Sequence, residues 1–264
     1  MMSPNPPRSA DNRFDLARLR AGIAPWRLYW FASVKSTNDH AATMRRQGRL
    51  FAPAVVLAGR QVAGRGRGSN TWWSGGGSLT ATFALPVGDA VAPHQLPLMA
   101  GLAVRNAVAE LTGDNGISLK WPNDLLYDGR KLAGLLCERH GAIDLIGVGL
   151  NVNLDAAAAP PELQTLVTSL QMIAGKPLDI TQVLIETSQH LRRTMDRASD
   201  RPFADLLLEY DSHHALIGRS VTIAFSDDEP ALTGTVEGLD EMGRLLLRAG
   251  KTLHHVIAGH VTVH

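Results

Sequence analysis

The chain has 264 residues, 45% hydrophobic and 19% charged, with 26 Lys+Arg against 25 Asp+Glu, which excludes general disorder and allows one sizeable core with a small appended domain. A net charge of +1 and a sequence pI near 8.0 argue against a broad nucleic-acid surface, whose usual mark is a pI above about 9. Cys137 is the single cysteine, so no internal disulfide framework can form; with no apolar h-region near the start and no apolar run approaching roughly 18 residues, a cytoplasmic location is expected.

Residues 1–25 read as an N-terminal extension, Pro- and Ser-rich over 1–12, with room for one short helix at 14–20 and none for a helix-turn-helix module. A strand is expected over 26–34, then a helix to about residue 47 capped by Ser36 or Thr37. Residues 54–59 read as a buried strand. Residues 60–77, with six glycines, three arginines and two adjacent tryptophans, read as a long loop of the kind that is usually functional. Leu79, Ala81, Phe83 and Leu85 alternate as in a half-buried strand, and 93–111 has helical spacing ended by Gly113.

Extended stretches follow at 117–121, 132–138 and 143–151, with Asp128-Gly129 as a turn signal before the second. Helices are expected at 180–195 and 203–216, started by Asp179 and Pro202. After Gly218 come short β segments at 220–225, 232–239, 244–247 and 252–263, punctuated by glycines. They predict a small β-barrel over 217–264 appended to an α+β core over 26–216.

Two segments carry chemistry. Gly64-Arg65-Gly66-Arg67-Gly68 alternates backbone that can approach a ligand with guanidinium groups suited to phosphate or carboxylate. It lacks the Gly-Lys-Ser/Thr of a P-loop and the glycine spacing of a dinucleotide fingerprint. An RGG-type RNA-binding segment is the competing reading, disfavoured by the strands that flank the loop closely and by the near-neutral charge. Lys120-Trp121-Pro122-Asn123-Asp124 ends a strand in a turn with an amide and a carboxylate, groups suited to a nucleotide and a hard cation. Lys131 follows where it could reach an anion. Taken singly, Ser36-Thr37-Asn38 reads as a helix cap, Asn151 as a strand-end amide, and Trp72 equally as core or ligand wall. His254, His255, His260 and His264 read as surface and core histidines rather than metal ligands.

Together these motifs resemble the biotin-protein ligase family (biotin–acetyl-CoA-carboxylase ligase or holocarboxylase synthetase). The resemblance runs through Ser36-Thr37-Asn38, Arg60-Gln61 with Ala63-Gly64-Arg65-Gly66-Arg67, Lys120-Trp121-Pro122-Asn123-Asp124, Lys131-Leu132-Ala133-Gly134-Leu135-Leu136 and Gly147-Val148-Gly149-Leu150-Asn151-Val152-Asn153, in order over residues 26–153. The loop's second half, Gly68-Ser69-Asn70-Thr71-Trp72, departs from the common bacterial form, with Gly68 and Asn70 standing where arginines are usual; it is similar to the form in eukaryotic holocarboxylase synthetases.

The resemblance implies a mixed-sheet catalytic core of the biotin/lipoate ligase type with a small SH3-like β-barrel, in a monofunctional enzyme without a DNA-binding domain. It implies that ATP and biotin form biotinyl-5'-AMP, from which biotin passes to one lysine of a biotin carboxyl carrier protein. Ser36, Thr37, Asn38, Gln61, Arg65, Gly66, Arg67, Lys131 and Gly134 would hold biotin. Arg65, Arg67, Trp72, Lys120, Asn123 and Asn151 would hold ATP or the adenylate. Lys131, Arg67 and Asp124 would be catalytic, with Asp124 also at a magnesium ion. A homodimer through a sheet edge is compatible with this. A lipoate or octanoate ligase or transferase and a biotin-sensing repressor are the competing readings.

Overall fold

A computed structural model of the chain describes residues 14–86, 91–200, 202–225 and 230–264; the expected mobile terminus at 1–12 lies outside them. Helix α1 (Leu16–Gly22) is capped by Asp15, whose carboxylate accepts from the Ala17 and Arg18 amides. Then come β1 (Arg27–Val34), α2 (Thr37–Arg46), β2 (Ala54–Gln61), β3 (Ser78–Pro86) and α3 (Leu96–Thr112). Ser36 is the N-cap of α2, and Gly113, in the left-handed region at φ 70°, ends α3.

Next are β4 (Ser118–Lys120), β5 (Asp124–Tyr127), β6 (Arg130–His140), β7 (Ile143–Asn151), α4 (Leu170–Ala174), α5 (Ile180–Asp200) and α6 (Phe203–Asp211). Asp128 and Gly129 both take positive φ, the requirement of a two-residue hairpin turn, and join β5 to β6. Five strands end the chain: β8 (Ser220–Ala224), β9 (Leu232–Leu239), β10 (Leu245–Ala249), β11 (Thr252–Val256) and β12 (His260–Val263).

The first seven strands form one mixed sheet in the order β1-β2-β3-β7-β6-β5-β4, with only β1 and β2 parallel. The last five form an antiparallel sheet in the order β11-β10-β9-β8-β12. Side chains on a strand alternate between faces, and here the two faces belong to two cores. Val55, Leu57, Leu79, Ala81, Phe83, Ile146 and Val148 join the main core with α3 and α5, while Ala54, Val56, Ala84 and Leu145 pack with Ala41, Ala42 and Met44 of α2. The main core continues into the second sheet through Val221, Ile223, Leu245 and Leu247.

Several expectations need correction. β3 is buried on both faces, because Thr80 and Thr82 lie under α2; threonine hydroxyls satisfied at Ala58 O and Asn38 Oδ1 make that burial tolerable. The segment from Asp124 is a strand rather than only a turn. The predicted helix over 203–216 stops at Asp211, and the single strand over 252–263 is two, broken at 257–259. Among the described residues no helix is long and apolar enough to cross a membrane.

Candidate active site

One face of β6 and β7 is built to leave space. Gly134 stands opposite Gly149 and Leu136 opposite Gly147, so three of these four positions on the face above the sheet carry no side chain. The indole of Trp72 lies in this depression: a Cβ at Gly149 would overlap it, and one at Gly134 would stand 3.3 Å from it. A Cβ at Gly147 would overlap the Asn38 amide. The remaining volume is a cavity of about 920 Å³, at the upper end of the roughly 300–1,000 Å³ usual for small-molecule sites.

The long loop is ordered over this depression. Trp72 N donates to Gly64 O (2.9 Å), Gly66 N donates to Asn70 O (2.8 Å), and Arg65 pairs with Thr71 as a β-bridge. The two loop arginines are held on different sides. Arg65 is ion-paired to Asp39 and to Glu138 (2.8 Å), and the Glu138 hydrogen bond leads in raising its pKa. Arg67 donates to the carbonyl of Gly259, between β11 and β12. Burial lowers its pKa, against a contrary pull from Asp124.

Lys131 reaches the cavity through a β-bulge. The register of β5 against β6 shifts between Leu125 and Leu126, with Leu125 opposite Ala133 and Leu126 opposite Lys131. Leu132 is the extra residue, and both Leu132 and Ala133 lie in the core. Glu138, Leu136 and Gly134 alternate on the open face, and without the bulge Lys131 would follow the odd-numbered residues into the core. Instead its Nζ stands 2.8 Å from Asp124 Oδ1, an ion pair without hydrogen-bond direction, and 5.9 Å from the Trp72 ring centre. Lys120 is close to both. Its burial lowers its pKa, opposed by Asp124 and reinforced by Lys131.

The cavity thus has a cationic end at Lys131, Lys120 and Arg67, and a neutral end near Leu136, where the lining cation, Arg65, is already ion-paired to Asp39 and Glu138. At the neutral end, Thr37 donates to Gln61 Oε1 from both its amide (2.7 Å) and its hydroxyl (3.0 Å), and Ser36 caps α2 beside them.

All the candidate residues of the sequence analysis line this one cavity, but some of their polar atoms are already engaged. Asn38 donates to Leu136 O (3.0 Å) and Glu138 Oε2 (2.9 Å). Asn123 donates to Leu135 O (2.8 Å), and Asn151 donates to Thr168 O (3.0 Å). In this structure those amides brace the walls. Sequence reasoning missed Leu163 and Val167, and a wall from the second sheet formed by Ala224, Phe225, Ala258, Gly259, His260 and Val261. No motif marks them, because they arrive through tertiary packing. Gly147 and Gly149 were visible in the Gly147–Asn153 motif. Among the described residues the group spaced closely enough to hold a metal ion is Glu110, Glu186 and His190, away from the candidate residues of the sequence analysis.

Comparison with known proteins agrees with this architecture. Residues 30–155 match the biotin/lipoate A/B protein ligase family, and residues 216–263 match the biotin protein ligase C terminal domain. A biotin--[acetyl-CoA-carboxylase] ligase of Paracoccus denitrificans is 32% identical over 226 residues, covering 82% of this chain and 92% of the relative. The chain belongs to the biotin protein ligase family. Another member, the biotin--[acetyl-CoA-carboxylase] ligase of Mycobacterium tuberculosis, is 32% identical over 239 residues, covering 87% of this chain and 86% of its own. The solved family structure of the biotin protein ligase from Aquifex aeolicus in complex with biotin and ATP superposes with a TM-score of 0.80 at 28% identity, covering 90% of this chain and 98% of that one.

Proposed function

We propose that the protein is a biotin--[acetyl-CoA-carboxylase] ligase that activates biotin with ATP and transfers it to a lysine of a biotin carboxyl carrier protein. The observation that carries this reading is the polarity of the cavity: a neutral hydrogen-bonding end and a cationic end, separated by Trp72 on its glycine floor. The neutral ureido head of biotin needs paired donors and acceptors rather than charge, which Ser36, Thr37 and Gln61 supply. The match of residues 216–263 to a biotin-specific C-terminal domain favours biotin over lipoate, which the model for residues 30–155 does not separate.

In the first step a carboxylate oxygen of biotin attacks the α-phosphorus of ATP, forming a P–O bond and expelling pyrophosphate. The carboxylate is already ionised at neutral pH, so no base is required. Catalysis consists of alignment and charge neutralisation. Lys131 lies between the carboxylate and the α-phosphate, Arg67 and Arg65 close from the loop, and Lys120 faces the remaining phosphate charge. Asn123 and Asn151 hold the strands and the Thr168 segment that frame the nucleotide, and Gly66 and Gly134 allow close approach.

In the second step the carrier lysine attacks the acyl carbon, forming the amide C–N bond and releasing AMP. An ordinary lysine is protonated at pH 7, so a proton must leave. Asp124 is the carboxylate among the cavity residues and the group we assign to receive it. It is also the residue that would hold magnesium. A single carboxylate suits an ion that arrives with ATP phosphates and keeps its waters, and such an ion would neutralise phosphate charge. We further read residues 26–216 as the catalytic unit and 217–264 as the unit that completes its wall.

Incubation of the chain with ATP, biotin and a carrier domain, read by mass spectrometry, tests the assignment. Biotinylation of one carrier lysine, absent with lipoate, is expected; lipoylation in place of biotinylation would contradict it.

A further inference from the structure

We propose that Glu138 is a positioning residue for the biotin end of the cavity, bracing Arg65 and the Asn38 amide together. The proposal rests on reading that cavity as the site for biotin and ATP. Glu138 does not line the cavity. It lies on the open face of β6, opposite Leu145 and two residues beyond Leu136, so whatever it does for a ligand it does through its neighbours.

Its two oxygens serve two different elements. Oε1 accepts from Arg65 Nη2 at 2.8 Å, and Oε2 accepts from Asn38 Nδ2 at 2.9 Å. An ionised carboxylate can only accept, so the Asn38 NH2 must face it. The amide is then fully used: Nδ2 also donates to Leu136 O at 3.0 Å, and Oδ1 accepts from Thr82 Oγ1 at 2.6 Å. One carboxylate therefore fixes the first turn of α2, which presents Ser36 and Thr37, and ties the phosphate loop to it through Arg65.

Asp39 also pairs with Arg65, but its side chain is 49% exposed against 24% for Glu138. Solvent screens the Asp39 pair, so Glu138 is the stronger anchor. A glutamine at 138 could accept from Arg65 or from Asn38, but would set an amide donor against one of two donors.

The test is biotin-dependent exchange of labelled pyrophosphate into ATP by wild type, Glu138→Gln, Arg65→Ala and the double variant. A charge-assisted hydrogen bond partly open to solvent corresponds to a rise in the KM for biotin of about tenfold in Glu138→Gln. The KM for ATP is expected to rise less, through Arg65, and the double variant to lose less than the sum of the two single losses, since the Arg65 arm is shared and the Asn38 arm is not. Glu138→Asp, shorter by one methylene, reports in the same way should Glu138→Gln not fold; a biotin KM between those of wild type and Arg65→Ala is expected. An unchanged biotin KM in the variant assayed, equal rises in both KM values, or fully additive losses would overturn the proposal. Failure of wild type to exchange at all would instead overturn the biotin and ATP reading.

Discussion

Lys131 Nζ stands 2.8 Å from Asp124 Oδ1, across a hairpin whose bulge at Leu132 turns the lysine out of the core. The pair combines the main cation of the cavity with the carboxylate assigned to the transfer step, so the two half-reactions depend on one contact. Asp124→Asn removes the proton acceptor while keeping shape. It is expected to slow single-turnover transfer from biotinyl-5'-AMP to the carrier by about 10²-fold, with a smaller loss in pyrophosphate exchange. Full-rate transfer by this variant would remove Asp124 from the mechanism.

Lys120 predicts a conflict between stability and function. Its folded-state pKa lies below its unfolded value because it is buried. The charge therefore costs stability at every pH below the folded pKa, and the cost fades as pH rises from there toward the unfolded value of about 10.4. Lys120→Met is expected to raise the urea midpoint at pH 7, by about 1 kcal/mol in ΔG, with the gap to wild type closing at alkaline pH. The KM for ATP should rise in the same variant. A lower midpoint at pH 7 would show that Lys120 is stabilised by its neighbours.

Gly149→Ala tests the floor of the cavity. The added Cβ would overlap the Trp72 indole, and overpacking of this kind costs about 1–3 kcal/mol. Chemical denaturation should show that loss, and exchange activity should fall as Trp72 moves into the cavity. A variant of wild-type stability would mean that Trp72 is not seated on this glycine.

The legible parts of the site were those written as local chemistry. Ser36 as a helix cap, Asp128-Gly129 as a positive-φ turn, and the Gly-Arg-Gly-Arg loop all follow from residue types at fixed spacing. The cationic cluster was legible as a set of motifs, since Lys120, Asp124 and Lys131 lie on three successive strands, β4, β5 and β6. What the sequence concealed depends on distant packing. The break at 257–259 interrupts a run that reads as one extended segment, yet it puts Gly259 against Arg67. The bulge at Leu132 leaves no mark except two successive core residues, Leu132 and Ala133. Glu138 looked like the polar end of a strand until Asn38 and Arg65 converged on it.

The most direct test of the account is biotin-dependent exchange of labelled pyrophosphate into ATP by wild type and Lys131→Ala, with lipoate as the rival acid. Loss of one preorganised charge donor at the reacting centre typically costs about 10²–10³ in rate. Exchange with biotin and not lipoate, reduced by that factor in Lys131→Ala, is the predicted result. Undiminished exchange in the variant, or faster exchange with lipoate, would contradict the placement of the biotin carboxylate and the α-phosphate at Lys131.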